Sequence, residues 1–112
     1  MPRNMSFSLT TEQVKNRTKD VTRRNGWWFL KPGDVVNAVE KAMGLKKDEK
    51  IKRICQLRII STGAEPLNVI TDDEVQREGF PDWTRWDFIK MYTKHNRCLE
   101  DNPVNRIQFE YL

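Results

Sequence analysis

Four cations fall within eight positions of this 112-residue chain: Arg17, Lys19, Arg23 and Arg24, in the stretch NRTKDVTRRNGWW from Asn16 to Trp28. Asp20 is the one acid among them, Thr18 and Thr22 stand between, and Trp27 and Trp28 follow. Arginine's planar fork matches phosphate and carboxylate oxygens better than lysine's point charge does. An indole beside it offers a face on which a base can stack. A threonine hydroxyl becomes a nucleophile once a neighbouring base takes its proton. The stretch therefore supports a phosphate grip or a hydrolytic site, with a solvated charged loop as the third reading. For nucleic-acid contact it nominates Arg17, Lys19, Arg23, Arg24, Trp27 and Trp28. Adjacent side chains of an extended segment point to opposite sides, so one indole is expected in the core and the other at the surface.

The net charge of +4 hides an uneven distribution. From Glu12 to Arg24 there are five cations against two acids, and from Glu40 to Arg58 seven cations against three acids. From Glu65 to Met91 the sign reverses, with seven acids against three cations. If the first two segments share a face, that face attracts phosphate. Lys46, Lys47 and Lys50, in a polar stretch between two strands, read as ordinary solubility charge.

Three helix starts must position these residues. Thr10 with Gln13, Thr71 with Glu74 and Thr84 with Asp87 each follow the capping-box spacing. The pairs Leu9/Val14, Ile70/Val75 and Trp83/Phe88 are placed as hydrophobic staples. Gly79 is expected to end the second helix in a left-handed conformation. The third should run from Thr84 to His95 with Phe88, Ile89 and Tyr92 on one side.

Strands are expected in MSFSL, with Met5, Phe7 and Leu9 on one face, and in DVVNAVEKAM, with Val36 and Ala38 alternating. ICQLRII, from Ile54, reads as a central strand. VNRIQFEYL closes the chain with Val104, Ile107, Phe109 and Tyr111 inward, and VTRR is ambiguous alone. Pro32-Gly33 is a turn. This order lacks the regular βα alternation of a parallel sheet. The expected fold is α+β: one domain over residues 1–112, a small, mostly antiparallel β-barrel flanked by about three helices.

The remaining chemistry is sparse. His95 is the only histidine, near a helix end, and Cys55 and Cys98 are too few for a disulfide framework or a zinc site. No apolar run approaches the length of a membrane span, and MPRNMSFSL has no apolar signal core, which points to a cytoplasmic protein. No metal, cofactor or membrane partner is expected.

Several segments together resemble an ASCH domain of the PUA-like superfamily: Lys19-x-x-Thr22-x-Arg24, the turn Leu30-Lys-Pro-Gly-Asp34, Arg77-Glu-Gly-Phe80 and the terminal Ile107-Gln-Phe-Glu-Tyr111. The resemblance spans roughly Met5 to Leu112 and implies a small barrel associated with RNA. The usual signature is Gly-x-Lys-x-x-Glu-x-Arg; here Arg17 replaces the glycine and Thr22 the glutamate, while Lys19 and Arg24 match. The threonine form is similar to small bacterial acetylcytidine amidohydrolases. That similarity implies a catalytic set of Lys19, Thr22 and Glu78.

Two functions from different classes are thus expected. The leading one is a binding module for RNA, a nucleotide or a nucleoside. The alternative is an enzyme acting on an acylated nucleoside, or a ribonuclease, through Lys19, Thr22 and Glu78. A third is a protein-interaction module of a phage or mobile element, since the same arginines can meet an acidic protein.

Overall fold

The computed structural model describes residues 2–42 and 44–112. The chain runs β1 (Arg3–Ser6), α1 (Thr11–Lys15), β2 (Val21–Arg24), β3 (Val35–Val39), β4 (Arg53–Pro66), a 3-10 turn (Leu67–Val69), α2 (Asp72–Arg77), α3 (Arg85–Asn96) and β5 (Pro103–Tyr111). The five strands form one curled sheet in the order β1-β3-β4-β5-β2.

The β3–β4, β4–β5 and β2–β5 pairs are antiparallel, whereas β1 lies parallel to β3 in the register Met5↔Ala38. The fold is therefore α+β with a mixed but mostly antiparallel sheet, as expected, curled into a half-barrel rather than a closed barrel. A parallel pair needs a long crossover. The segment from Phe7 to Asp34, which contains α1 and β2, supplies it. β1 and β2 are the two sheet edges and do not pair with each other. Arg24 bridges the gap instead: its guanidinium donates to the Ser6 carbonyl and lies 4.8 Å from the Phe7 ring centroid.

Two apolar clusters hold the layers together. Met5, Phe7, Val14, Leu30, Val36, Ala38, Leu57, Ile59, Ile107 and Phe109 form one cluster, drawn chiefly from the strands. Leu67, Ile70, Val75, Phe88, Ile89, Tyr92 and Val104 form the other, packing α2 and α3 on the far part of the sheet. Val104 and Ile107 have opposite strand parity, so β5 serves both clusters. β4 shifts register between Ile59 and Ser61 and extends well beyond the expected ICQLRII. β3 ends at Val39 after a register shift, short of the expected stretch, whose last residue, Met43, lies outside the described residues.

The caps differ in instructive ways. Thr84 and Asp87 form the full reciprocal capping box at α3. Thr71 caps α2 by accepting the Glu74 N–H, but the Glu74 carboxylate turns to arginines instead of completing the box. Thr10 does not cap α1 with its side chain. Thr11 donates to the Phe7 carbonyl, and Gln13 reaches across to donate to the Gly79 carbonyl. Leu9, expected inward, is 52% exposed because the chain has already left the strand.

Candidate functional site

The site begins where the sheet fails to close. A cavity of about 330 Å³ lies between the segment after β1, the strand β2, the end of α2 and one face of α3. Lys19, Thr22, Arg24 and Glu78 all line it. Strand parity places Thr22 and Arg24 on the same side of β2. Lys19 comes from the irregular segment just before β2, and Glu78 is the C-cap residue of α2.

Lys19 and Glu78 are each 2% exposed and meet directly, Nζ to Oε1 at 2.7 Å. The ammonium also donates to the Glu78 backbone carbonyl at 2.8 Å. Two of its three hydrogens are thus assigned, and one is left for the cavity. Glu78 Oε2 accepts from Arg23 at 3.0 Å. Gly79 secures this corner. Its φ is +106°, and a Cβ there would sit 2.7 Å from Gln13 Cγ, so α1 and the end of α2 interlock with no room for a side chain.

Arg23 is buried and held by three carboxylates: Glu78, Glu74 at 2.8 Å and Glu65 at 3.4 Å. Glu74 also accepts from Arg77 and Arg106. The Arg106 hydrogen bond, with the Arg23 charge behind it, holds the Glu74 carboxyl down at about 2, against its own partial burial. Arg24 is different. Among the described residues it has no carboxylate partner, and its buried Nε finds no acceptor. Burial pushes its guanidinium down to about 10, opposed by Glu78, which leaves it charged at neutral pH.

Burial also pulls the Lys19 ammonium below its usual range. The Glu78 carboxylate resists that fall, and the Arg24 and Arg23 charges add to it. Burial outweighs the Glu78 carboxylate, which Arg23 also engages, and the net direction is downward. Thr22 is 5% exposed, and among the described residues its hydroxyl has no hydrogen-bond partner. Lys19 donates to Glu78, and among the described residues no hydrogen bond joins it to Thr22.

Of the residues nominated from the sequence, Lys19, Thr22, Arg23, Arg24, Trp27 and Glu78 line the cavity. Arg17 and Trp28 do not. Arg17 is exposed, at φ +58°, over the Tyr111 ring, and Trp28 is 55% exposed. Trp27 is half-buried against the strand cluster at φ +61°, with its carbonyl and that of Gly26 held by the buried Asn105 amide.

The aromatic wall and its polar rim were not nominated. Phe7, Phe80, Phe88 and Tyr92 line the cavity together with the charged residues, and Phe7 carries the Arg24 guanidinium on its ring. The Tyr92 hydroxyl donates to Asn25 Oδ1 at 2.8 Å, and the Asn102 amide donates to the same oxygen at 3.1 Å. With its oxygen so occupied, Asn25 keeps its amide hydrogens for other acceptors. Desolvation raises the Tyr92 phenol's pKa, so it remains a neutral donor. Tyr92 was readable only as a core residue of α3, because a helix stripe does not disclose what meets the tip of a side chain. Among the described residues no group of three or more His, Cys, Asp and Glu is placed to hold a metal ion. No helix described is long and apolar enough to cross a membrane.

Comparison with solved structures identifies the architecture. The ASCH domain from Lactobacillus crispatus JV V101 superposes with a TM-score of 0.63 at 13% identity, covering 98% of this chain and 79% of that one. This chain has an ASCH-like fold. Protein EF3133 from Enterococcus faecalis V583, of the DUF984 family, gives a TM-score of 0.71 at 14% identity, covering 100% of this chain and 80% of that one. The hypothetical protein PH0355 gives 0.61 at 15% identity over the whole of both chains. The sequence itself matches no family profile and no curated protein. At these identities the likeness concerns the fold.

Proposed function

We propose that this chain is one ASCH-type domain that takes a nucleoside or an RNA nucleotide into the cavity beside β2. The observation that carries this reading is the convergence of Lys19, Thr22, Arg24 and Glu78 with the rings of Phe7, Phe80, Phe88 and Tyr92 around one space of about 330 Å³. Aromatic rings suit the faces of a base, and a base stacked on one contributes about 1–3 kcal/mol. Arg24, with no carboxylate partner among the described residues, suits an anionic or carbonyl oxygen of the ligand. Arg23 is committed to Glu74 and Glu78 and serves to hold the site in shape. Arg17 and Trp28 lie outside the cavity and are not needed.

A specific observation favours hydrolysis as a second reading. An unpartnered threonine hydroxyl and a lysine of lowered basicity share one cavity. In this reading neutral Lys19 takes the Thr22 proton and the oxygen attacks the acyl carbon of an N-acylated base. Arg24 stabilises the resulting oxyanion. The C–N bond then breaks, the Lys19 proton passes to the leaving amine, and water hydrolyses the acyl-threonine ester. Glu78 orients Lys19 between these steps.

The test is a screen of acetylated nucleosides and short RNAs by calorimetry and product chromatography, against wild type, Lys19→Ala and Thr22→Ala. Binding to wild type that falls in Lys19→Ala is expected. Absence of binding across the screen would remove the first reading. Turnover that survives in Thr22→Ala would remove the nucleophile.

A further inference from the structure

The cavity opens onto a second depression along α3. This groove, about 840 Å³, is lined by Leu9, Trp83, Asp87, Lys90, Met91, Lys94, His95 and Arg97. Leu9, Met91 and His95 line both spaces, so the two are continuous. Phe80 on the cavity wall stacks on Trp83 of the groove wall, with ring centroids 4.2 Å apart and planes 11° apart. An aromatic surface therefore passes from one space into the other without interruption.

Lys90, Lys94 and Arg97 stand at positions i, i+4 and i+7, on one face of the helix and its cap. All three are exposed, as is His95. Among the described residues none of the three forms an ion pair. The carboxylate in the groove, Asp87, accepts the Thr84 N–H of the capping box. Cations in a last helical turn complement the helix dipole. That accounts for Lys94 and His95, but not for a stripe that begins in the second turn at Lys90 and borders a stacked aromatic pair.

We propose that the occupant of the cavity is one nucleotide of a single-stranded polynucleotide, whose flanking phosphates lie along Lys90, Lys94 and Arg97. The neighbouring base rests on Trp83. This rests on the nucleotide reading of the cavity and narrows it: the ligand is a strand, not a free nucleoside. The groove supplies phosphate attraction and one stacking platform, and the cavity supplies recognition of a single extruded base.

The test compares wild type, K90Q/K94Q/R97Q and Arg24→Gln in binding a labelled single-stranded octamer, as RNA and as DNA, and a 5′-mononucleotide. Three phosphate contacts on a single strand give a logarithmic salt slope of about −2, so wild-type affinity for the octamer should fall roughly 20-fold between 50 and 200 mM salt. The triple variant should bind the octamer at least 10-fold more weakly at low salt, with a nearly flat salt response, while its affinity for the mononucleotide, which carries a single phosphate, falls much less. Its changes lie on exposed side chains and do not threaten folding. Equal octamer affinity in wild type and triple variant overturns the proposal. If the triple change weakens the octamer but Arg24→Gln changes neither ligand, the cavity reading fails and the phosphate path stands.

Discussion

Glu74 offers the sharpest test of how this site is held, because one carboxylate serves three arginines. It accepts from Arg23 at 2.8 Å, from Arg77 at 3.1 Å and twice from Arg106. Glu74→Gln keeps the shape and removes the charge. A carboxyl lowered from 4.5 to about 2 represents about 3 kcal/mol of folding free energy at neutral pH. Its side chain is 18% exposed, so solvent screening reduces this to about 2 kcal/mol. The sign follows from the depressed value. The stabilisation is fully present above the unfolded pKa of 4.5 and is lost as pH falls toward about 2. Urea unfolding followed by tryptophan fluorescence at intervals from pH 7 to pH 2 measures it. At pH 7 the variant should be about 2 kcal/mol less stable than wild type. The two curves should approach each other below pH 4.5, since the group that titrates there is gone. Curves that stay parallel throughout that window would refute the assignment of Glu74 as the charged hub.

Four further outcomes are expected. Gly79→Ala meets Gln13 Cγ at 2.7 Å and carries a side chain at φ +106°; thermal melts should show a loss of about 1–3 kcal/mol, with weaker ligand binding because Glu78 precedes it. Tyr92→Phe removes the donor to Asn25 Oδ1 and should cost about 1 kcal/mol in urea unfolding. In wild type, ultraviolet titration should show the Tyr92 phenol ionising later than a free tyrosine. Asn105→Ala releases the Gly26 and Trp27 carbonyls; Trp27 should relax from its left-handed conformation, and its fluorescence should become more accessible to acrylamide.

The sequence declared its helices more clearly than its site. The α3 cap, with Thr84 and Asp87, was fully legible because a capping box is closed within four residues. The same spacing at Thr10 was misleading. Its backbone, at φ −132° and ψ 31°, is not that of an extended cap, and Gln13 is drawn to Gly79, 66 positions away. Glu74 shows why such patterns fail. A box asks it to accept from a neutral N–H, but folding brings three guanidinium groups within reach, and charge-assisted hydrogen bonds are roughly twice as strong. Local spacing could not reveal them, since Arg23 and Arg106 reach Glu74 only when β2 pairs with β5. The parallel placement of β1 was likewise hidden, because alternation reports which face is buried and not which neighbour a strand chooses. The Lys19–Glu78 meeting spans 59 positions and was suggested only by resemblance.

The arrangement of charge bears on the proposed ligand site. Lys19, Arg23, Arg24, Arg77 and Arg106 are set among Asp20, Glu65, Glu74 and Glu78, with one cation in excess. Four of the cations are each matched to a carboxylate, which offsets the cost of burial only where the geometry is good. Arg24 is the unmatched one, and it stands at the gap between the sheet edges with a carbonyl oxygen and an aromatic ring as its partners. A half-buried guanidinium held that way is largely desolvated, with the Glu78 charge acting on it but no carboxylate in contact. An apolar side chain would close the half-barrel at lower cost. In the proposed function the gain from keeping arginine there comes from the ligand, whose oxygen would enter beside Thr22 and complete its coordination.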